Sequence, residues 1–216
     1  MEIKIIKRIE PSELVEKIRN VPLIQKAQDG SEIKVYEKAR ISIRELHPSE
    51  VNPTTFYLLR PQLKLQKDLR ECLMKKHGID LLHLEGALEI VNEQGELWTL
   101  TPPIVEVTPR DVKYCAREGE IEYNDTARIQ IPIINDGAHR VFTAIQAGET
   151  FHGVYITGAD ERFPFYAHPN EWSRIKIFDA MPTTKQEKKF YSRDDCYALY
   201  RNFDVLGCGK PRTLGT

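Results

Sequence analysis

Between the apolar run Ile129–Ile134 and a stretch carrying Val141, Phe142, Ala144 and Ile145 stands the hexapeptide Asn135-Asp136-Gly137-Ala138-His139-Arg140. A strand that turns directly into a helix leaves the first N–H groups of the helix without partners. The helix dipole places positive potential behind them, so such a corner can hold an anion. Gly137 lets the backbone turn sharply and lets a ligand come close. Arg140 adds a fork of fixed charge suited to phosphate, and His139 adds a donor that titrates near neutral pH. Phosphate is the ligand this chemistry favours, with Arg140 expected to carry binding rather than stability. Asp136 would repel a bare phosphate, so it needs another task, such as holding Mg²⁺ or orienting Arg140. The same residues also suit an ordinary corner, in which Asp136 caps the helix and water surrounds His139 and Arg140. Spacing alone leaves the two readings level.

Several elements must position that corner. Residues 3–9 alternate as a strand, and Pro11-Ser12 opens a helix with Leu14, Val15 and Ile18 on one side. Asp29-Gly30 marks a turn before a second strand-like run, Ile33 to Ile43. Pro48, Pro53 and Pro61 break regular structure from Leu46 onward. Over residues 62–77, Leu65, Leu69, Cys72 and Leu73 share one face of a helix that Gly78 can end. Residues 88–91 and 97–100 form a hairpin. Pro102-Pro103 leads into the strand 104–107, and 109–126 reads as a polar excursion or hairpin. The helix after the corner stops at Gly148, and Phe151–Ile156 is again strand-like. A last helix is expected near Ser192, with Cys196, Leu199, Tyr200 and Phe203 inward. The tail GCGKPRTLGT is expected to be mobile.

The 216 residues hold 31 Lys+Arg against 32 Asp+Glu, with 41% hydrophobic residues. That is an ordinary globular balance, which excludes wholesale disorder and coiled-coil readings. A net charge of -1 argues against a chain that coats nucleic acid non-specifically. No secretory leader and no apolar window of membrane-spanning length is visible, which predicts a soluble cytoplasmic protein. Cys72, Cys115, Cys196 and Cys208 form no CxxC pair, so they read as reduced thiols. Gly209-Lys210 fails the phosphate-loop pattern because Pro211 follows it.

The segment D-G-A-H-R, preceded by a hydrophobic strand and followed by a helix, resembles the signature turn of the ParB/sulfiredoxin-like superfamily. The likeness covers roughly residues 41–157 and includes the P-P-I-V strand. It implies a core of a small mixed sheet with packed helices, taken over 41–180; with the N-terminal α+β segment over 1–40 and the C-terminal helix and tail over 181–216, both read from local patterns, the chain is expected to be an α+β fold. It also implies that Gly137, Ala138, His139 and Arg140 contact the phosphates of a nucleotide. Sulfiredoxins carry a cysteine where this chain has Ala138, so their reductase chemistry is not expected. Chromosome-partitioning ParB proteins carry G-E-R-R, from which Ala138 and His139 depart. Free serine kinases of the superfamily carry D-G-H-H-R, and the DGQHR-type proteins linked to DNA sulfur modification likewise differ only at the middle position.

Two functions follow. The first is a Mg²⁺-dependent kinase or nucleotidase acting on ATP, ADP or CTP, with Asp136 as metal ligand and Asp136, His139 and Glu106 as catalytic residues. Glu106 is the expected general base, because a parallel strand beside 129–134 would bring it to the same sheet edge, and Glu85 is a weaker alternative. The second is a non-catalytic module that binds DNA or a partner protein, in a DNA-modification or defence setting. Residues 60–76 hold six Lys/Arg against two acids, which makes Lys64, Lys67 and Arg70 the nucleic-acid contacts on that reading. Tyr191, Tyr197 and Tyr200, interleaved with Lys188, Lys189 and Arg193, could stack on bases.

Overall fold

The computed structural model describes residues 2–118, 121–207 and 212–213. β1 (Ile3–Ile9) runs into α1 (Pro11–Arg19), whose Leu14 and Ile18 are buried. Proline at the first helical position starts α1 without losing a bond, since that N–H has no helical partner. β2 (Arg40–Leu46) is followed by a proline-rich loop, β3 (Tyr57–Leu59) and α2 (Arg60–His77). Gly78 ends α2 at φ 65°, and Lys75, Lys76 and His77 lie at the negative end of its dipole.

β4 (Ala87–Asn92) and β5 (Glu96–Leu100) form the expected hairpin. β6 (Ile104–Glu118) and β7 (Ile121–Asp136) make a long antiparallel hairpin, so the polar stretch 109–126 extends both strands. α3 (Ala138–Ala147) follows at once, then β8 (Phe151–Thr157), β9 (Lys176–Phe178) and β10 (Arg212–Thr213).

The main sheet has the order β2-β8-β6-β7, with β8 parallel to β6 and antiparallel to β2. A second sheet has the order β1-β4-β5-β10, and β3 pairs in parallel with β9. The chain is an α+β fold. Period-two alternation divides the main sheet into two faces. Ile104, Ile133, Val154 and Ile156 pack against α1, Tyr36, Phe165, Leu199 and Phe203. Val105, Ile134 and Phe151 pack against Val141 and Ala144 of α3. The second sheet instead covers Leu69 and Leu73 of α2.

Two expected elements differ. The run from Ile33 becomes a strand only at Arg40, although the Ile33 carbonyl accepts from the Leu23 amide. Residues before it curl so that Val35, Tyr36 and Ala39 are buried, while the Arg19 guanidinium donates to the carbonyls of Glu37 and Ala39. No continuous helix starts near Ser192. Short 3-10 turns at Cys196–Leu199 and Phe203–Leu206 bury Cys196, Leu199 and Phe203, the apolar set expected of the helix together with the half-buried Tyr200. The intervening Arg201 is drawn into the core and forms a bridge with Leu23, which forces the chain out of helical geometry there. Cys208 and most of the tail lie outside the described residues.

Candidate functional site

β7 ends at Asp136 and α3 begins at Ala138, with Gly137 between them at φ 89°. A side chain there would be strained, and its Cβ would come 2.8 Å from the Pro103 Cα, so the corner demands glycine twice over. The Gly137 carbonyl accepts from the Arg140 and Val141 amides. The amides of Ala138 and His139 have no hydrogen-bond partner among the described residues. The Asp136 carboxyl accepts from the Gly137 amide. Burial raises its pKa, against the pull of the Arg140 guanidinium, that amide and the Lys189 ammonium.

His139 points inward. Its Nε2 accepts from the Leu59 amide at 2.9 Å, and burial lowers its pKa to about 4. The imidazole is therefore neutral at physiological pH, which corrects the expectation of titration near pH 7. Arg140 is 8% exposed and donates to the Thr101 carbonyl and, at 3.3 Å, to Gln66 of α2. It locks α3 to the segment before β6 instead of reaching outward, so its removal costs stability, contrary to the sequence expectation.

Glu106 is not beside this corner chemically. β6 runs antiparallel to β7, and Glu106 lies on the sheet face opposite α3. It is 2% exposed and holds Arg201 through contacts of 2.7 and 3.1 Å. Tyr36 and Asn135 also donate to it, at 2.6 and 3.2 Å. A carboxylate saturated in this way is a structural anchor and does not serve as the general base for a ligand at α3. Glu85 is exposed in a separate depression with Arg8 and Gly78.

On α2, Lys64 and Lys67 are exposed, but Arg70 is not available. It pairs with Asp80 at 2.8 Å and with Glu149 at 2.6 Å, tying α2 to the end of α3. An open groove of about 710 Å³ runs between α2 and α3, lined by Lys67, Met74, Lys75, Thr143 and Gln146 among others. None of residues 136–140 lines it.

A cluster that sequence reading did not assign to the corner lies beside it. Thr54 is buried and donates to the Ile134 carbonyl at 3.2 Å, two residues before Asp136. Lys189 donates to Tyr166 Oη at 2.9 Å and to Thr54 Oγ1 at 3.4 Å. The interleaving of Lys189 with Tyr191 was the only trace of this in the sequence.

Comparison with known proteins defines the class. The profile of the ParB CE domain matches residues 13–176, and the chain belongs to that family. This is consistent with the expected ParB/sulfiredoxin-like superfamily. No curated protein and no solved structure matches the chain.

Proposed function

We propose that this ParB-like protein binds the phosphates of a nucleotide at the corner between β7 and α3. The observation that carries this reading is the pair of unpartnered amides, Ala138 and His139, at the positive end of α3. Ala138 carries no bulky side chain beside its own amide, while Gly137 lets the turn pack against Pro103. His139 and Arg140 position the corner from beneath.

Asp136 is the one acidic side chain of the turn, and the field of a divalent cation would offset the cost of burying its charge. Mg²⁺ is usually held by one or two carboxylates plus substrate phosphates, so Asp136 fits as the protein ligand. The metal would supply charge neutralisation to the phosphates. Asp136 would then orient the metal–phosphate unit, while the amides hold its oxygens.

A thermal-shift series with ATP, ADP and CTP, with and without Mg²⁺, tests the reading, because a ligand of the folded state raises its melting temperature. Stabilisation by at least one nucleotide is expected. Its Mg²⁺ dependence should vanish in Asp136→Asn. No shift with any nucleotide at millimolar concentration overturns the proposal.

A second reading, binding of DNA by the α2 surface, is favoured by the exposure of Lys64 and Lys67 on one helix.

A further inference from the structure

We infer that the open groove between α2 and α3 is a docking site for an acidic amphipathic helix of a partner protein. The inference is independent of the nucleotide reading, since none of residues 136–140 lines the groove. α2 supplies Lys67, Arg70, Glu71, Met74 and Lys75, spaced i, i+3, i+4, i+7 and i+8 along one face, and α3 supplies Thr143, Gln146 and Ala147. The two helical stripes bound a trough of about 710 Å³, which extends roughly 12 Å from Lys67 to Lys75, a little over two turns of a helix. Its walls are fixed before any partner arrives. Arg70 joins α2 to Glu149, just beyond α3, at 2.6 Å and to Asp80 at 2.8 Å, while Arg140 of α3 donates to Gln66 of α2 at 3.3 Å. A groove held in this way needs little ordering when it is filled.

The lining states what the occupant must be. Met74 is 46% exposed, a large apolar side chain left in water, and its unbranched, polarisable thioether adapts to varied apolar neighbours. Ala147 is exposed as well, and Thr143 spends its hydroxyl proton on the His139 carbonyl at 3.0 Å. Lys67 and Lys75 are exposed, so their stems add methylenes while their ammonium groups stay in water. Among the described residues neither lysine forms an ion pair, although Glu71 lies one turn from each. An apolar centre between two unpaired cations complements a helix whose apolar residues recur at i, i+3 or i+4 and i+7 with carboxylates beside that stripe. Duplex DNA fits the groove less well. Phosphates gain nothing from Met74 and Ala147, Arg70 is already held by two carboxylates, and Glu71 repels them.

The chain holds three methionines, so ¹³C-methyl labelling of the full chain gives one reporter in the groove, Met74, and another outside it, Met181. A synthetic acidic amphipathic helix of about 15 residues would be titrated against it, beside a scrambled peptide of the same composition, a peptide with Lys in place of each Glu, and a DNA duplex. The Met74 methyl resonance, assigned through Met74→Leu, should move with the acidic helix alone while that of Met181 stays in place. By fluorescence polarisation, Lys67→Glu/Lys75→Glu should weaken the acidic helix by about tenfold or more. If that double variant does not fold by circular dichroism, Lys67→Gln/Lys75→Gln is read in its place by the same criterion. No movement of Met74 with the acidic helix at submillimolar concentration overturns the inference. Equal binding of the scrambled peptide also overturns it, since bare charge attraction would then suffice. Movement of Met74 with the duplex but not the peptide overturns it in favour of DNA, and movement on concentrating the chain alone overturns it in favour of a second copy as the occupant. None of these results bears on nucleotide binding at the β7–α3 corner.

Discussion

Burial makes His139 a neutral acceptor for the Leu59 amide, with its pKa lowered to about 4. The unfolded chain, with an ordinary histidine, takes up a proton near pH 6.5. The folded state resists that proton, so the stability His139 supports is complete above pH 6.5 and is lost as pH falls toward 4. Calorimetric melting should therefore show the transition temperature dropping across this window, with the drop reduced in His139→Gln. Asp80 does not confuse the test. Burial would raise its pKa, but Arg70, the Leu82 amide and His83 together hold it at about 2. Its contribution is lost only as pH falls from about 4 toward 2. At this scale the residue types of the turn were legible in the sequence, but their directions were not. Nothing in the string D-G-A-H-R shows that the guanidinium goes to Thr101 and the imidazole to Leu59, because both partners are far away in sequence.

The corner elements were the most legible part of the chain. A strongly apolar strand, an Asp-Gly turn and a helix ended by Gly148 are local signals, and β7, Gly137 and α3 follow them closely. The amphipathic pattern of α2 was equally clear, since Leu69 and Leu73 turn inward while Lys64 and Lys67 stay in water. That exposed face is where the DNA reading is tested. Retention on a DNA column should fall with rising salt and fall further in Lys64→Ala/Lys67→Ala, whereas Arg70→Ala should act mainly by lowering stability. Passage of wild type through the column at low salt would remove this second reading. The C-terminal helix failed as an expectation because helical spacing records which residues go inside. It does not record whether the backbone between them is continuous, and the demand of Glu106 for Arg201 broke it.

Across the whole molecule, the Glu106–Arg201 pair fastens the C-terminal segment to the face of the main sheet that α1 also covers. The Arg201 side chain is fully buried, and its guanidinium also donates to the carbonyls of Leu199 and Phe163 at 2.8 and 3.1 Å. Removing one partner strands the other charge, so Arg201→Ala should cost about 3–5 kcal/mol in chemical denaturation. The double substitution Arg201→Met/Glu106→Leu should recover part of that loss, since apolar groups can replace a buried pair. A single-variant cost below about 1 kcal/mol would show the pair to be dispensable.

Local signals in the chain were enough for the α+β class and for the corner with its glycine. Each of these depends on periodicity or turn chemistry within a few residues. Only the folded arrangement puts Glu106 on the opposite face, turns Arg140 into a brace for α3, and brings Lys189 against Thr54 and Tyr166. Those outcomes depend on strand direction and on pairings across 39 to 135 residues, where the cost of an unpartnered buried charge selects the partner.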